Sequence, residues 1–61
     1  MTKATIERIR NSYTPVVIGK YTYKADFNTG EILRCKTEDI GREWIDNEGN
    51  RYSAWEVVAH L

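Results

Sequence analysis

The 61-residue chain contains few side chains of the kinds that carry covalent or acid–base chemistry, since it has one Cys, Cys35, and one His, His60. Nucleophilic catalysis needs a Ser, Cys or Thr within hydrogen-bond reach of an oriented base. Cys35 falls on the apolar face of a predicted strand, where a free Cys usually acts as a small hydrophobe. His60 falls at the predicted end of a helix, where the helix dipole favours a cation. We therefore expect a protein that is not an enzyme.

Metal and cofactor sites are also not expected from the spacing of the polar residues. A single Cys excludes an internal disulfide and a zinc site built from several Cys. The segment 46–50, Asp-Asn-Glu-Gly-Asn, lacks the alternating ligands and the closing Glu of a calcium loop, and turn formation explains the same residues. The adjacent carboxylates of Glu38 and Asp39 lie in a predicted loop, where such residues are typically solvated or cap a turn. No phosphate-binding glycine motif is present.

The basic residues could instead contact nucleic acid. The net charge is zero overall, but residues 1–24 carry +4 and residues 25–61 carry −4. If the register of the predicted first hairpin permits, four basic side chains project from the sheet face opposite Tyr21 and Tyr23. A basic sheet face of this kind can follow a phosphate backbone. The four residues of this alternative nucleic-acid-binding site are Lys20, Lys24, Arg34 and Lys36.

The aromatic residues favour protein binding. The chain has two Trp, four Tyr and one Phe, more than a core of this size needs. Aromatic residues and Arg dominate the binding energy of many protein interfaces. Trp44 and Tyr52 lie on two predicted neighbouring strands, with Arg42 and Arg51 beside them in sequence. We predict that these four residues form a protein-binding site, in which the Arg side chains add directed hydrogen bonds at the rim.

The N-terminal half of the chain predicts a helix followed by a hairpin. Ile6, Ile9 and Tyr13 have helical spacing within residues 2–13, Thr2 or Thr5 can cap the helix, and Pro15 stops it. A strand over the same residues is the alternative. Val16–Ile18 predicts a short buried strand, and from Tyr21 the hydrophobic period becomes two. The turn Asn28-Thr29-Gly30, with Gly30 at positive φ, connects this strand to a partner over residues 31–36.

The C-terminal half predicts two more short strands and a second helix. The strands cover residues 43–46 and 51–52, on either side of the turn 47–50. Ser53 and Glu56 form a capping-box pattern, which predicts a helix from Ala54 to Leu61 packed on the sheet. The expected fold is α+β: a short N-terminal helix, an antiparallel β-meander of three to four strands and a short C-terminal helix, in one domain over residues 1–61.

A domain of this size forms a core that supplies only about 3–5 kcal/mol of net stability, and association commonly adds to it. We therefore expect the partner to be another protein, and a homodimer is a second form of association. No apolar run is long enough to span a bilayer, so we expect no membrane partner and a cytoplasmic location. The chain reads as a complete short reading frame. Frames of this size are frequent among bacteriophage and bacterial accessory proteins that regulate or inhibit a larger protein.

Overall fold

The computed structural model describes all 61 residues and contains one α-helix and six β-strands. A short 3-10 turn, Thr37–Asp39, lies between the third and fourth strands. The elements are α1 (Lys3–Arg10), β1 (Val16–Ile18), β2 (Tyr21–Asp26), β3 (Glu31–Lys36), β4 (Glu43–Ile45), β5 (Arg51–Ser53) and β6 (Glu56–His60). The α+β class is therefore confirmed.

Helix α1 begins where its capping residue predicts and ends three residues earlier than the hydrophobic spacing predicts. Thr2 is the N-cap, and its hydroxyl oxygen accepts a hydrogen bond from the backbone N–H of Thr5 at 3.3 Å. Arg8 and Arg10 in the last turn interact favourably with the negative end of the helix dipole. The predicted helix is confirmed, but it ends before Tyr13, whose side chain is fully exposed.

The main sheet has four antiparallel strands in the order β1-β2-β3-β6. The predicted hairpin of β2 and β3 is confirmed, although its loop has four residues, 27–30, because Asp26 pairs with Glu31. Gly30 has a φ of +74°, and its N–H donates to the carbonyl of Asp26 at 2.8 Å. The positive φ explains the glycine, because other L-residues are strained there.

The predicted C-terminal helix is wrong, because residues Glu56–His60 form strand β6 beside β3. Ser53 belongs to β5 and caps no helix. The Glu56 carboxylate accepts a hydrogen bond from Arg34 on β3 at 2.6 Å, so it has a cross-strand partner. The adjacent β-branched residues Val57 and Val58 also favour a strand. Pairing satisfies the backbone of β3, which an eight-residue helix packed on the sheet would leave as an open edge.

The predicted single meander is corrected as well, since β4 and β5 pair only with each other. They form a separate two-stranded antiparallel hairpin, in which Trp44 is opposite Tyr52 and Ile45 is opposite Arg51. The chain leaves the main sheet after Lys36, forms this hairpin, and returns as β6. The hairpin is therefore an insertion between two neighbouring strands of the main sheet.

The core lies between α1 and one face of the main sheet. Ile9 of the helix, Val16 and Ile32 form its buried centre, and Ile32 is completely buried. Tyr23 and Ala25 share this face and pack against the same cluster. No helix covers the other face, on which Thr22 and Cys35 are opposite each other and buried. The Thr22 hydroxyl lies 2.8 Å from the hydroxyl of Thr37, so its polar atom has a partner.

The molecule is elongated and has little buried interior. Only five residues are buried, and the Cα radius of gyration is 12.6 Å. A compact domain of this length has a radius of gyration of about 10.5 Å. The separate hairpin accounts for part of this difference, because every residue from 41 to 53 is exposed. No helix in the molecule has the length and apolar character required to cross a membrane.

Candidate functional site

The β4–β5 hairpin presents two large aromatic side chains to solvent. Trp44 and Tyr52 are directly opposite each other, so they lie on the same face of the hairpin. Their exposed fractions are 51% and 53%, respectively. Ile45, on the other face, is 65% exposed. A two-stranded hairpin normally needs a third strand or a packed face to be stable in water, so this surface is incomplete in the isolated chain.

The turn of the hairpin is organised around the Asp46 carboxylate. One of its oxygens accepts hydrogen bonds from the backbone N–H groups of Glu48 and Asn50, each at 2.9 Å. The other oxygen accepts from the Tyr52 hydroxyl at 3.0 Å and from the Asn50 side chain at 3.3 Å. These bonds, led by the one from the Asn50 backbone, lower the pKa of the Asp46 carboxyl against an opposing effect of burial. Asp46 therefore holds Tyr52 and the turn together.

The two predicted rim residues, Arg42 and Arg51, both form ion pairs within the chain. Arg42 lies 3.4 Å from the carboxylate of Asp39, and Arg51 lies 4.0 Å from that of Glu43. Their side chains are 67% and 75% exposed. Exposed pairs of this kind contribute little to stability, so both guanidinium groups can exchange partners at small cost. Arg51 is opposite Ile45, and by strand alternation both lie on the face away from Trp44.

An open cleft separates the hairpin from the main sheet at the end of β3. Its volume is about 340 Å³, and its lining includes Trp44, Trp55 and Cys35. The Trp55 ring is itself held by the Lys24 ammonium, which lies 4.1 Å from the ring centre. Three of the four residues predicted to bind protein lie on the β4–β5 hairpin, and the fourth, Arg42, directly precedes it. Trp44 also borders this cleft. The structure brings the aromatic pair together but divides the two Arg residues between different ion pairs.

The four predicted nucleic-acid-binding residues do not form one basic sheet face. Arg34 is opposite Tyr23 and Lys36 is opposite Tyr21, so both bases share the tyrosine face. Lys24 is opposite Leu33 on the other face, and Lys20 lies in the turn between β1 and β2. The expectation of a single face opposite the tyrosines is therefore wrong. The reason is that the four-residue loop sets the register, and the sequence pattern alone left this register open.

Two of these bases are also engaged within the chain. The Arg34 guanidinium lies 4.4 Å from the centre of the Tyr21 ring and donates its Nε–H to Glu56. The hydrogen bond to Glu56 raises the pKa of Arg34 above its ordinary value, and a hydrogen bond with Tyr23 adds to this effect. Lys24 lies over Trp55. Only Lys20 and Lys36 remain as exposed bases without an ion pair, both beside a shallow cleft lined with Thr37 and Glu38.

The residues considered for catalysis lie apart from one another. Cys35 is 1% exposed on β3, and burial raises the pKa of its thiol, which disfavours the nucleophilic thiolate. The thiol donates to the carbonyl of Lys36. His60 is exposed at the end of β6, where it pairs with Glu31, so the predicted helix-end position is wrong. No cluster of three or more His, Cys, Asp or Glu side chains is placed to hold a metal ion.

Sequence reasoning missed Ile45 and Asp46 as parts of the hairpin surface. Ile45 is apolar and about two-thirds exposed, and the alternation Trp44-Ile45 in a three-residue strand gives both faces a large apolar side chain. This alternation is visible in the sequence and could have indicated that one of the two apolar side chains is exposed. Asp46 before a Gly-containing turn was readable as a turn residue, but its bond to Tyr52 depends on the register of the hairpin.

Comparison of the chain with protein-family models, with curated protein sequences and with solved structures finds no match.

Proposed function

We propose that the protein is a small, non-enzymatic interaction module that binds a larger protein through the β4–β5 hairpin and modulates it. The observation that carries this proposal is the cross-strand pair of Trp44 and Tyr52, each about half exposed on a hairpin without a buried residue. Aromatic side chains contribute large contact areas at a low cost in conformational entropy. An accessory role in the cytoplasm is part of the same proposal.

The total exposed surface supports a binding role. The accessible surface of the chain is 4823 Å². A compact monomer of 7.1 kDa exposes about 4,100 Å². The excess of roughly 700 Å² is close to the area of about 800 Å² that each partner contributes to a standard protein interface. Binding at the hairpin would cover apolar surface that the monomer cannot bury.

Nucleic-acid binding is the alternative that the geometry favours less. The four bases are divided between the two sheet faces and a turn, and Arg34 and Lys24 are held by Glu56 and Trp55. Of these four bases, a phosphate backbone would meet only Lys20 and Lys36 as neighbouring cations without an ion pair. Nuclease treatment and a charge variant separate this alternative from protein binding.

The test is affinity capture from a candidate host lysate, with and without nuclease treatment, using the chain and two tyrosine variants. We expect Tyr52→Ala to lose most of the captured protein, because the aromatic pair no longer forms. Tyr13→Ala is the matched control, since Tyr13 is fully exposed in the loop after α1, away from the hairpin. Capture by this control should equal that of the unmodified chain.

A charge variant completes the design. The double substitution Lys20→Gln and Lys36→Gln removes the two free bases of the predicted nucleic-acid-binding set and leaves the hairpin intact. Retained capture by this variant, at low and at moderate salt, supports protein binding. If it alone loses its partner, or if nuclease abolishes capture, the hairpin proposal is wrong and the bases are the site. Circular dichroism and tryptophan fluorescence establish that each variant remains folded.

A further inference from the structure

Four strands have an edge that no other strand covers. The sheet order leaves β1 and β6 as the outer strands of the main sheet, and β4 and β5 each have one free edge. An uncovered edge presents N–H and C=O groups that can pair with a further strand. The four edges differ in how well they suit such pairing.

The two edges of the main sheet are poorly suited. Pro15, directly before β1, lacks an N–H group and so cannot donate a hydrogen bond to a further strand. The pairing of β6 with β3 shifts register between Ile32 and Leu33, which marks a bulge in β6 near Val58. Bulges twist an edge away from regular pairing. Both edges therefore have features that discourage the addition of a strand.

The free edge of β4 is regular and accessible. The backbone N–H of Asp46 donates to the carbonyl of Asn50 at 3.0 Å, which makes these two residues a hydrogen-bonded pair. In an antiparallel ladder such pairs alternate, so Trp44 also turns its backbone groups towards β5. Glu43 and Ile45 then direct their N–H and C=O groups towards the free edge. Both residues are exposed.

The sequence around β4 is complementary to itself. Read from residue 42, it is Arg-Glu-Trp-Ile-Asp, with a cation at one end, an anion at the other and an aromatic residue in the centre. Two such segments aligned antiparallel about Trp44 place Arg42 opposite Asp46 of the second copy. The same alignment places Glu43 opposite Ile45 of the second copy, and these are the residues whose backbone groups are free.

We propose that two copies of the chain pair through the free edges of β4, antiparallel about a two-fold axis at Trp44. The hairpins then form one four-stranded sheet with the order β5-β4-β4-β5. Centring the axis on Tyr52 of β5 instead places Arg51 opposite Ser53 of the second copy, and this alignment offers no pair of opposite charges within the strand. The charge pattern therefore selects β4 over β5.

This pairing gives the hairpin the additional strands that it lacks. A two-stranded hairpin is marginally stable in water, whereas three or more strands with an apolar face are stable. Trp44 and Tyr52 of both copies lie on one face of the combined sheet, because a two-fold axis normal to the sheet preserves its faces. The inference rests on the proposed function and deepens it, since the target protein then meets a symmetric surface of four aromatic side chains.

The test is sedimentation equilibrium of the unmodified chain and of two chemically synthesised chains. In one, the backbone nitrogen of Ile45 is methylated, which removes a free-edge donor of β4 without affecting the β4–β5 ladder. In the matched control, the nitrogen of Arg51 is methylated, which removes a donor from the outer edge of β5 directly opposite. By symmetry, methylation at Ile45 removes two bonds between the copies, and we expect the dissociation constant to rise on the order of tenfold or more.

The unmodified and Arg51-methylated chains should both dimerise, with a mass twice the 7.1 kDa of the monomer. A second pair of variants tests the charges. Arg42→Glu should weaken the dimer, because it faces Asp46 of the second copy. Asp39→Asn removes the ion pair of Arg42 within the chain and should leave the dimer at least as strong.

A chain that stays monomeric up to about 1 mM would overturn the inference, as would equal dissociation constants for the two methylated chains. Target capture is measured separately. A monomer that still loses its target on Tyr52→Ala leaves the proposed function standing. A dimer that captures no protein would support the pairing of two copies through β4 and would contradict the proposed function.

Discussion

Arg34 and Glu56 join strand β3 to the outer strand β6 of the main sheet. The Nε of Arg34 lies 2.6 Å from a carboxylate oxygen of Glu56, and the two residues are direct cross-strand partners. The guanidinium also lies over the ring of Tyr21, 4.4 Å from its centre. One cation therefore connects three strands, β2, β3 and β6, on a part of the tyrosine face.

The first prediction concerns this connection. Replacing Arg34 with Ala should lower the free energy of unfolding more than replacing Glu56 with Ala, because Arg34 also loses the ring of Tyr21. A double-mutant cycle measured by urea denaturation should give a favourable coupling between Arg34 and Glu56 that decreases with added salt. Additive effects of the two substitutions would mean that the ion pair contributes nothing to the stability of the sheet.

The second prediction concerns Gly30 in the loop between β2 and β3. With φ at +74° and no atom within 4 Å of a Cβ added there, the cost of substitution comes from the backbone alone. Gly30→Val should lower the free energy of unfolding by about 1–2 kcal/mol or more. Gly30→Asn should cost less, because Asn tolerates this conformation. Chemical denaturation measures both, and equal costs would contradict the backbone explanation.

The third prediction concerns strand β6. Deleting residues 56–61 should abolish the cooperative unfolding transition, since Val58 and Ala59 no longer pack on the core and β3 becomes an open edge. Ser53→Ala is the informative companion. At a helix N-cap this change costs about 1 kcal/mol, whereas in the exposed strand β5 we expect a change within about 0.5 kcal/mol. A loss of stability of about 1 kcal/mol for Ser53→Ala would favour a C-terminal helix over strand β6.

The fourth prediction concerns acid. Hydrogen bonds lower the pKa of the Asp46 carboxyl in the folded hairpin, so its contribution to stability is complete above the unfolded value of about 3.9. That contribution is lost as the pH falls through the lower folded value. The amide resonances of Glu48 and Asn50 should therefore move together below about pH 4. Asp46→Asn should remove this acid transition and leave the amides of β2 and β3 unaffected.

The parts of the fold that the sequence predicted depend on short-range signals. Thr2 as a helix cap and Gly30 in a turn each act within a few residues, and both are confirmed by the structure, whereas α1 ends at Arg10, before Pro15. The capping-box pattern of Ser53 and Glu56 is also short-range, but Glu56 has a stronger alternative. Its partner Arg34 is 22 positions away, and no local pattern reveals such a pairing.

The candidate site was predictable to a similar extent. The exposure of Trp44 and Tyr52 and their position on neighbouring strands agree with the sequence reasoning. Their function stays a prediction. The distribution of Arg34 and Lys36 was not predictable, because a shift of one residue in the register transfers each side chain to the other sheet face. The loop length that sets this register differs by one residue from the expected loop.

The insertion of the hairpin between β3 and β6 has a consequence for how the protein can change. Since β3 and β6 are neighbours in the sheet, with Arg34 opposite Glu56, the segment of residues 37–55 connects two positions that are already close together. The closure entropy of such a loop depends only weakly on its length. The segment can therefore be shortened, lengthened or exchanged while the helix and the four-stranded sheet keep their own contacts, so a new binding specificity can evolve, or be grafted, on an unchanged scaffold.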